Sequence, residues 1–561
     1  MEGLTVTGTG SSGPNRRSFL ALVGAGTAAV AGGASLTACS DGGGGGSTTA
    51  GRAEATTKMT GLLPKYTAYE GVKPDLPGEN GAAPGFTKYP TQLTRAVAEP
   101  PVKSGKEVTA MTPLWAPAPP GLGSNSYYAA NNERIGAGVR FNIVNGIDYG
   151  DKLGPLLASG NIPELLCIPG WNISGLTRFG QAVDKLFEDL TPHLAGDKVS
   201  PYPMLANLPT SAWAYAVWNS QLKAVPFPSD GIPWLLYYRK DLMDKVGAQP
   251  PKTIADLEAL GKQLTDAKRK QWAFGSIADE VQRAYGVPAG WRKDSTGKLV
   301  NKIETPEFEE AVAFVRKTFQ NGWVHPEVVA NSGGDQKPLF EGGQIVIRQD
   351  GTGTWGETLQ RQQTINPSFQ MQAVLPFAHD GGTPIVWSGD PAGIFTFVKK
   401  GLPADRIAEL LGVLNYTAAP FGTEENQLYN YGLEGKHYTR QPSGAPKLTP
   451  LGQKEIAPTY LFLGGRPLAI TTSEYPGYVE SMSALQNAIA KVREKNLFEG
   501  IRVEQPAKFA ALATPFDDKV QDIYRGRRPM SDLKVAVKEW QTKGGDAGRD
   551  FYAKVLSDNG R

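Results

Sequence analysis

Alternating strand and helix patterns after residue 104 constrain the fold more than any other feature. Strand-like alternation at Glu107–Thr112 is followed by a helix pattern at Tyr127–Ala137 and a second strand pattern at Val139–Val144. A helix pattern at Tyr149–Ala158 then leads into the apolar run Leu165–Ile168. Strands that alternate with helices of this length predict an α/β fold built on a parallel sheet.

Polar and aromatic residues stand directly after these predicted strands. Trp115 follows the first strand, Asn145 and Asp148 follow the second, and Trp171 follows the third. In parallel sheets, ligands bind beyond the carboxyl ends of the strands. We therefore expect these residues at one edge of the sheet, where they are candidates to contact a ligand.

The chain is too long for one hydrophobic core, and its later patterns predict a second lobe. A strand pattern at Gly231–Tyr238 precedes a helix for which Thr253 is the expected N-cap, with Asp256 three residues on. Thr305-Pro306 opens a further helix. The roughly 500 residues beyond the amino-terminal segment exceed what a single core usually holds, so we expect two lobes.

The amino-terminal segment has the pattern of an export signal. Arg16 and Arg17 precede the uncharged stretch Phe19–Ala38, whose glycines make it weakly hydrophobic. This pattern favours a twin-arginine signal peptide over residues 1–38. The small residues before Cys39 resemble a lipobox, so Cys39 is the expected lipid-attachment site. Two or more acyl chains give stable membrane attachment.

Two segments of biased composition separate this signal from the first predicted strand. Residues 39–60 are rich in Gly, Ser and Thr and predict a flexible tether. Residues 61–103 are rich in Pro, Gly and Lys with little periodicity. They predict an extended arm that lies over the surface of the body.

Composition argues against several classes of function. The 58 basic and 55 acidic residues are interspersed, so we expect no nucleic-acid binding. Cys167 lies in an apolar run and has no expected disulfide partner once Cys39 is lipidated. The 4 histidines are scattered, and no metal, phosphate-loop, dinucleotide or hydrolase-elbow motif occurs. We therefore predict a binding protein rather than an enzyme, with no cofactor and no metal.

Several motifs, in order along the chain, resemble those of extracellular solute-binding proteins of the maltose-binding type. Leu157–Glu164 is similar to the family's LASGDLPD segment. The family's LYYRKDWL…PKT crossover is similar to Leu236–Leu242 followed by Pro251-Lys252-Thr253. Phe340–Ile347 resembles the F..G..AM strand of the family. Asn430–Tyr438 is close to NYGIEGKHY and is the most specific match. These motifs resemble in particular the long lipoprotein branch of the family, which serves ABC sugar importers.

The resemblance implies a two-lobed periplasmic-binding-protein-like α/β fold of type II with a hinge between the lobes. One lobe would comprise residues 104–233 plus 384–430, and the other residues 234–383 plus 431–555. Hinge segments near Pro233–Leu236 would allow the lobes to close over a ligand. Many relatives carry a calcium loop after the PKT helix, but that place here has one acid and three bases, so no calcium site is carried over.

The implied function is capture of a sugar or oligosaccharide and its delivery to the transmembrane subunits of an ABC permease. The expected location is the outer face of the cell membrane, where the monomeric protein is held by lipidated Cys39. Aromatic rings cover sugar faces while carboxylates take hydroxyls, and on this basis the candidate ligand-binding residues are Trp115, Trp171, Asp230, Trp234, Trp355, Trp387, Asp390 and Glu434. The alternative role for Asp230 and Asp390 is to form a turn. The alternative role for Glu434 is to hold its own loop together.

Two other functions stay open at this point. The same fold binds organic acids, peptides or other solutes in place of sugars. A surface-anchored glycan-processing enzyme would require paired carboxylates at a defined separation, which one sequence does not reveal.

Overall fold

The computed structural model describes most of the chain from residue 49 onward. The described residues are 49–51, 61–79, 81–173, 175–176, 178–232, 234–330, 335–363, 365–503 and 505–561. The predicted signal peptide 1–38, the lipidation site Cys39 and most of the predicted tether 39–60 lie outside them. Within these ranges, no helix is both long enough and apolar enough to cross a bilayer.

Strands and helices alternate along the described chain. The strands of the two main sheets and of one two-stranded ladder are β1 (Thr49–Gly51), β2 (Val108–Leu114), β3 (Val139–Asn145), β4 (Leu165–Pro169), β5 (Ala224–Pro228), β6 (Leu235–Arg239), β7 (Trp272–Phe274), β8 (Ile345–Asp350), β9 (Met371–Ala373), β10 (Ala392–Val398) and β11 (Ile501–Val503). The longer helices are α1 (Ser126–Ile135), α2 (Tyr149–Ser159), α3 (Phe179–Leu186), α4 (Ile254–Leu264), α5 (Ala278–Ala284), α6 (Pro306–Gln320), α7 (Thr354–Gln362), α8 (Ala404–Thr417), α9 (Glu424–Tyr431), α10 (Pro450–Glu455), α11 (Tyr478–Lys491), α12 (Ala513–Tyr524), α13 (Asp532–Trp540) and α14 (Asp546–Asp558). Shorter turns and two-stranded ribbons connect these elements.

The first sheet has the order β3-β2-β4-β10-β5. Strand β2 pairs in parallel with β3 and with β4, as the alternation of strands and helices predicts. Strand β10 enters from a distant part of the chain and pairs antiparallel with β4 and β5. All residues of β4 are buried, which is expected for a central strand with both faces covered.

The second sheet has the order β9-β6-β8-β7 and packs against its own set of helices. Helix α4 begins where predicted, because the hydroxyl of Thr253 accepts a hydrogen bond from the Asp256 amide at 3.1 Å. The Asp256 carboxylate in turn accepts from the amide of Lys252 at 3.0 Å. Helices α12 and α13, near the carboxyl terminus, complete the core of this sheet.

Two of the chain segments that connect the sheets lie against each other. The first follows β5 and the second precedes β10. The Gly389 amide donates to the Gly231 carbonyl at 2.9 Å, and the Ser229 amide donates to the Pro391 carbonyl at 2.9 Å. A Cβ atom at Gly389 would fall 2.7 Å from that same carbonyl oxygen, so the close approach requires glycine. These crossings lie beside the predicted hinge segments; hinge motion itself stays a prediction.

The segment around α10 packs on the first sheet. Tyr460 and Leu463 belong to the core of that sheet, although the prediction placed residues 431–555 in the second lobe. Further along, Tyr478 and Leu485 of α11 pack with Leu235 at the start of the second sheet. The chain therefore changes sides between residues 463 and 478, in a Gly- and Pro-rich stretch without periodicity. The other predicted lobe boundaries stay predictions.

The arm predicted at residues 61–103 contacts both cores. Its described residues contain no helix and only isolated bridges. The Tyr69 amide donates to the Asn207 side chain at 3.0 Å on the side of the first sheet. The buried Ala83 amide donates to the Gln486 side chain at 2.7 Å in the core beside the second sheet. The arm therefore holds parts of both sides together instead of only covering the surface.

Candidate binding cleft

A large cavity of about 940 Å³ opens beyond the carboxyl end of β2. One wall consists of residues 114–120, which include Trp115 and a proline-rich loop. A second part of the wall comes from Asp230 and from one face of α7. Ala83 and residues between 421 and 486 line the rest. The volume lies at the upper end of the range for small-molecule sites, so the cavity has room for more than one small ring.

Two tryptophans predicted at the edge of the first sheet lie together there. The ring centroids of Trp115 and Trp171 are 6.0 Å apart, and Phe462 packs on the other side of Trp115 at 5.8 Å. Trp171 is 56% exposed. A Cβ at Gly146 would lie 2.1 Å from the Trp115 ring, so only glycine lets the β3–α2 loop support that ring. The three rings form an aromatic patch that reaches from the cavity to the surface.

Asp230 lines the cavity and also forms the turn considered for it, while its contact with a ligand stays a prediction. One carboxylate oxygen accepts from the Ile232 amide at 3.0 Å, and the other accepts from Gln486 at 3.3 Å. Burial raises the pKa of this carboxyl group. The side chain is thus held in a fixed orientation in the cavity wall.

Trp355 does not line the cavity. It is 1% exposed and packs edge-on against Tyr237 and Tyr478, with centroid distances of 6.0 and 5.1 Å. The reason is helical geometry: α7 begins at Thr354, so Trp355 lies on the buried face of the helix. Gly356 and Glu357 lie on the face that lines the cavity instead.

Trp171, which reaches the cavity only through its contact with Trp115, and the other four candidates also lie outside the residues that line this cavity. Trp234 is 43% exposed, and Asp390 is exposed at the crossing before β10. The Trp387 indole donates to the Val287 carbonyl at 2.9 Å. Glu434 accepts from Arg440 at 3.0 Å across its own turn, which fits the alternative role of holding that loop.

Helix α7 and its neighbours supply charged groups that the sequence did not reveal. Arg361 binds Glu341, with 2.6 Å between the guanidinium and the carboxylate. Glu357 lies 3.9 Å from both Lys337 and Arg361. Its side chain remains 47% exposed to the open cleft, but the surrounding walls displace enough water to raise its pKa.

Glu474 is a third acid of the cavity wall. Its Oε1 accepts a hydrogen bond from the Tyr431 hydroxyl at 3.0 Å. Its Oε2 is buried and has no partner among the described residues. Burial raises the pKa of this carboxyl group to about 7. A protonated Glu474 can donate a hydrogen bond from Oε2, whereas an ionised one can only accept.

Arg466 lines the cavity without a partner. Its Nη1 is buried and unbonded, and within the described chain the guanidinium forms no ion pair. The nearby guanidinium lowers the pKa of Tyr429, although burial of that phenol is the larger effect and raises it to about 12. No sequence motif pointed to Arg466 or Glu474, because both lie in the stretch without periodicity.

The most specific motif, Asn430–Tyr438, forms a structural junction. His437 is fully buried, and its Nδ1 accepts from the Leu433 amide at 3.0 Å. Its Nε2 lies 2.9 Å from the Ser126 hydroxyl and 3.1 Å from the Glu455 carboxylate. The Ser126 hydroxyl also contacts that carboxylate directly, at 2.5 Å. Serine and carboxylate therefore share one ring nitrogen, unlike a catalytic relay, in which the base lies between the other two groups.

Comparison with known proteins shows which family and which fold this chain is similar to. Residues 128–399 match the sequence model of bacterial extracellular solute-binding proteins. The polygalacturonan/rhamnogalacturonan-binding protein YtcQ of Bacillus subtilis is 24% identical over 431 residues, which cover 70% of this chain and 80% of YtcQ.

Two solved structures show the same fold. The N-glycan transport solute-binding protein NgtS of Streptococcus pneumoniae has a TM-score of 0.58 at 15% identity, with 81% of this chain and 98% of NgtS covered. The S. pneumoniae ABC-transporter substrate-binding protein FusA, solved in complex with kestose, has a TM-score of 0.57 at 14% identity. The match covers 81% of this chain and 100% of FusA. These matches confirm the predicted two-lobed α/β fold.

Proposed function

We propose that this chain is a member of the bacterial extracellular solute-binding protein family and that it captures a sugar or oligosaccharide for an ABC importer. The observation that carries the proposal is the cavity of about 940 Å³ with an aromatic patch at its edge and charged groups in its walls. Aromatic rings match the C–H faces of sugar rings, and carboxylates and guanidinium groups match their hydroxyls. The names of YtcQ, NgtS and FusA, which refer to carbohydrate ligands or complexes, support the same ligand class.

The mechanism we propose is closure around the ligand. The two sheets are joined by the paired crossings at Gly231 and Gly389, which would absorb a rotation between the lobes. A ligand that contacts both walls stabilises the closed form by its higher affinity for that form. The closed form would then dock on the transmembrane subunits of the permease, while the binding protein itself carries out no chemistry.

We further propose that the protein is exported through the twin-arginine route and held at the outer face of the membrane by lipidated Cys39. The supporting observations are the Arg16-Arg17 pair and the small residues before Cys39 in the sequence. Metabolic labelling with a radioactive fatty acid tests the anchor: label should enter the wild-type protein and be absent from Cys39→Ala. Label in the variant would contradict the assignment of Cys39.

Tryptophan fluorescence tests the binding function. The full chain would be titrated with neutral and acidic mono- and oligosaccharides, and a saturable change should occur with one class of sugar. Trp115→Ala should abolish or weaken this response because Trp115 lines the cavity. Trp540→Phe is the matched control, since Trp540 lies in the carboxyl-terminal helices and should leave the affinity unchanged.

Two results would contradict the proposal. Slow consumption of the sugar during incubation would indicate a glycan-processing enzyme. No response to any sugar, in protein shown to be folded by circular dichroism, would refute a carbohydrate ligand and favour another class of solute.

A further inference from the structure

The backbone just before Arg466 is tightly packed, which fixes the position of this residue at the cavity. A Cβ at Gly465 would lie 2.3 Å from the Pro226 carbonyl oxygen, and one at Gly464 would lie 2.3 Å from the Thr417 hydroxyl. The glycine pair therefore lies flat against β5 and α8. This contact fixes the start of the Arg466 side chain at the wall formed by the first sheet.

The Arg466 guanidinium has no counterion in the described chain. Its Nη1 is shielded from solvent and unbonded, and no carboxylate of a described residue lies within ion-pair distance. A guanidinium carries five N–H donors and stays charged at any physiological pH. Removing such a group from water without a partner costs several kcal/mol in general. Because Arg466 lines the cavity, a ligand bound there is in a position to supply a partner for the guanidinium.

The carboxyl groups of the cavity wall already contact other residues. Asp230 accepts hydrogen bonds from Ile232 and Gln486. Glu357 lies between Lys337 and Arg361. Glu474 accepts from Tyr431, and its raised pKa reduces its negative charge near neutrality. None of these groups supplies a free carboxylate to Arg466 in this arrangement.

We propose that Arg466 binds a carboxylate of the ligand and thereby selects acidic oligosaccharides, those that contain uronic acid units. This inference rests on the proposed sugar-binding function and names its substrate class. A planar guanidinium pairs with a planar carboxylate through two parallel hydrogen bonds, which gives direction as well as charge. The aromatic patch of Trp115 and Trp171 then takes the faces of the neighbouring sugar rings.

The test compares trigalacturonate with its fully methyl-esterified form, which keeps the carbon skeleton and removes the charge. Calorimetric titration of the full wild-type chain should give an affinity for the acid that exceeds that for the ester at least about tenfold. Arg466→Gln should erase this difference. Lys447→Gln is the matched control, because Lys447 is an exposed cation outside the residues that line the cavity and its loss should keep the preference.

Other outcomes separate the rival explanations. If Arg466→Gln weakens acid and ester equally, Arg466 pairs with a wall carboxylate on closure, and the inference is wrong. If wild type binds a neutral sugar but prefers no acid, the sugar-binding function stands and the inference fails. If no sugar of either class binds, the proposed function itself fails. Arg466→Lys keeps the positive charge but lacks the planar guanidinium, and it should retain part of the preference for the acid. This variant checks that loss of the preference in Arg466→Gln is not due to misfolding.

Discussion

Replacing Glu474 with glutamine should stabilise the protein in alkaline solution and change little in acid. Burial raises the pKa of Glu474 from an ordinary 4.5 to about 7. Between these two values the folded protein keeps a proton that the unfolded chain releases. The contribution of this group to stability is therefore complete below pH 4.5 and is lost as the pH rises through 7.

The magnitude follows from the width of that interval. A pKa raised from 4.5 to about 7 corresponds to about 3 kcal/mol of stability at full ionisation. Glutamine is neutral at every pH, and its amide oxygen can still accept from the Tyr431 hydroxyl. The free energy of unfolding of Glu474→Gln should thus exceed that of wild type by about 1–3 kcal/mol at pH 8.5, and the two should agree within about 0.5 kcal/mol at pH 4.

Urea unfolding followed by tryptophan fluorescence measures this difference. Wild type and Glu474→Gln would be compared at pH 4 and pH 8.5. Glu133→Gln serves as the control because Glu133 is exposed on α1 and takes part in none of the ion pairs described, so its substitution should leave the curves superimposed. If wild type and Glu474→Gln show the same dependence on pH, the burial argument for Glu474 is refuted.

Three further results are expected. Gly146→Ala places a Cβ about 2.1 Å from the Trp115 ring, so the ring must move. Sugar affinity measured by calorimetry should therefore fall at least about tenfold, and the free energy of unfolding should fall by roughly 1–3 kcal/mol. Unchanged affinity would rule out a role for this ring. The buried Cys167 thiol, whose pKa burial raises, should resist alkylation in native protein and react fully in 6 M guanidinium, as read by peptide mass spectrometry. His437→Ala should lower the free energy of unfolding in urea by about 2–4 kcal/mol, because the hydrogen-bond network of Glu455 is left incomplete, and sugar affinity should stay within about threefold. A large loss of affinity without a loss of stability would instead place His437 at the ligand.

The sequence predicted the features that depend on nearby residues. Strands β2, β3 and β4 and the helices between them lie within a few residues of their predicted positions, because side-chain periodicity is a local property. The meeting of Trp115 and Trp171 was also predictable. Their place directly after parallel strands brings them to the same edge of the sheet, whatever the rest of the chain does.

The features that the sequence missed depend on distant contacts. Trp355 was predicted as a ligand-binding residue, but α7 begins at Thr354 and places this side chain in the core. Only packing on the second sheet decides which face of that helix is buried. Arg466 reaches the cavity because its glycine neighbours lie on β5, more than two hundred residues earlier in the chain. No local pattern encodes such a contact.

The amino-terminal arm has a consequence for the order of folding. Some of its partners are synthesised late: Ala83 binds Gln486, which is 403 residues further along the chain. Closing so long a loop is entropically unfavourable and contributes to slow folding. Phe86 and Tyr89 stay uncovered until Phe421 has been synthesised, so a growing chain exposes these aromatic rings for most of its synthesis. Docking of the arm is therefore expected to be the late step that locks both sheets into one cooperative unit.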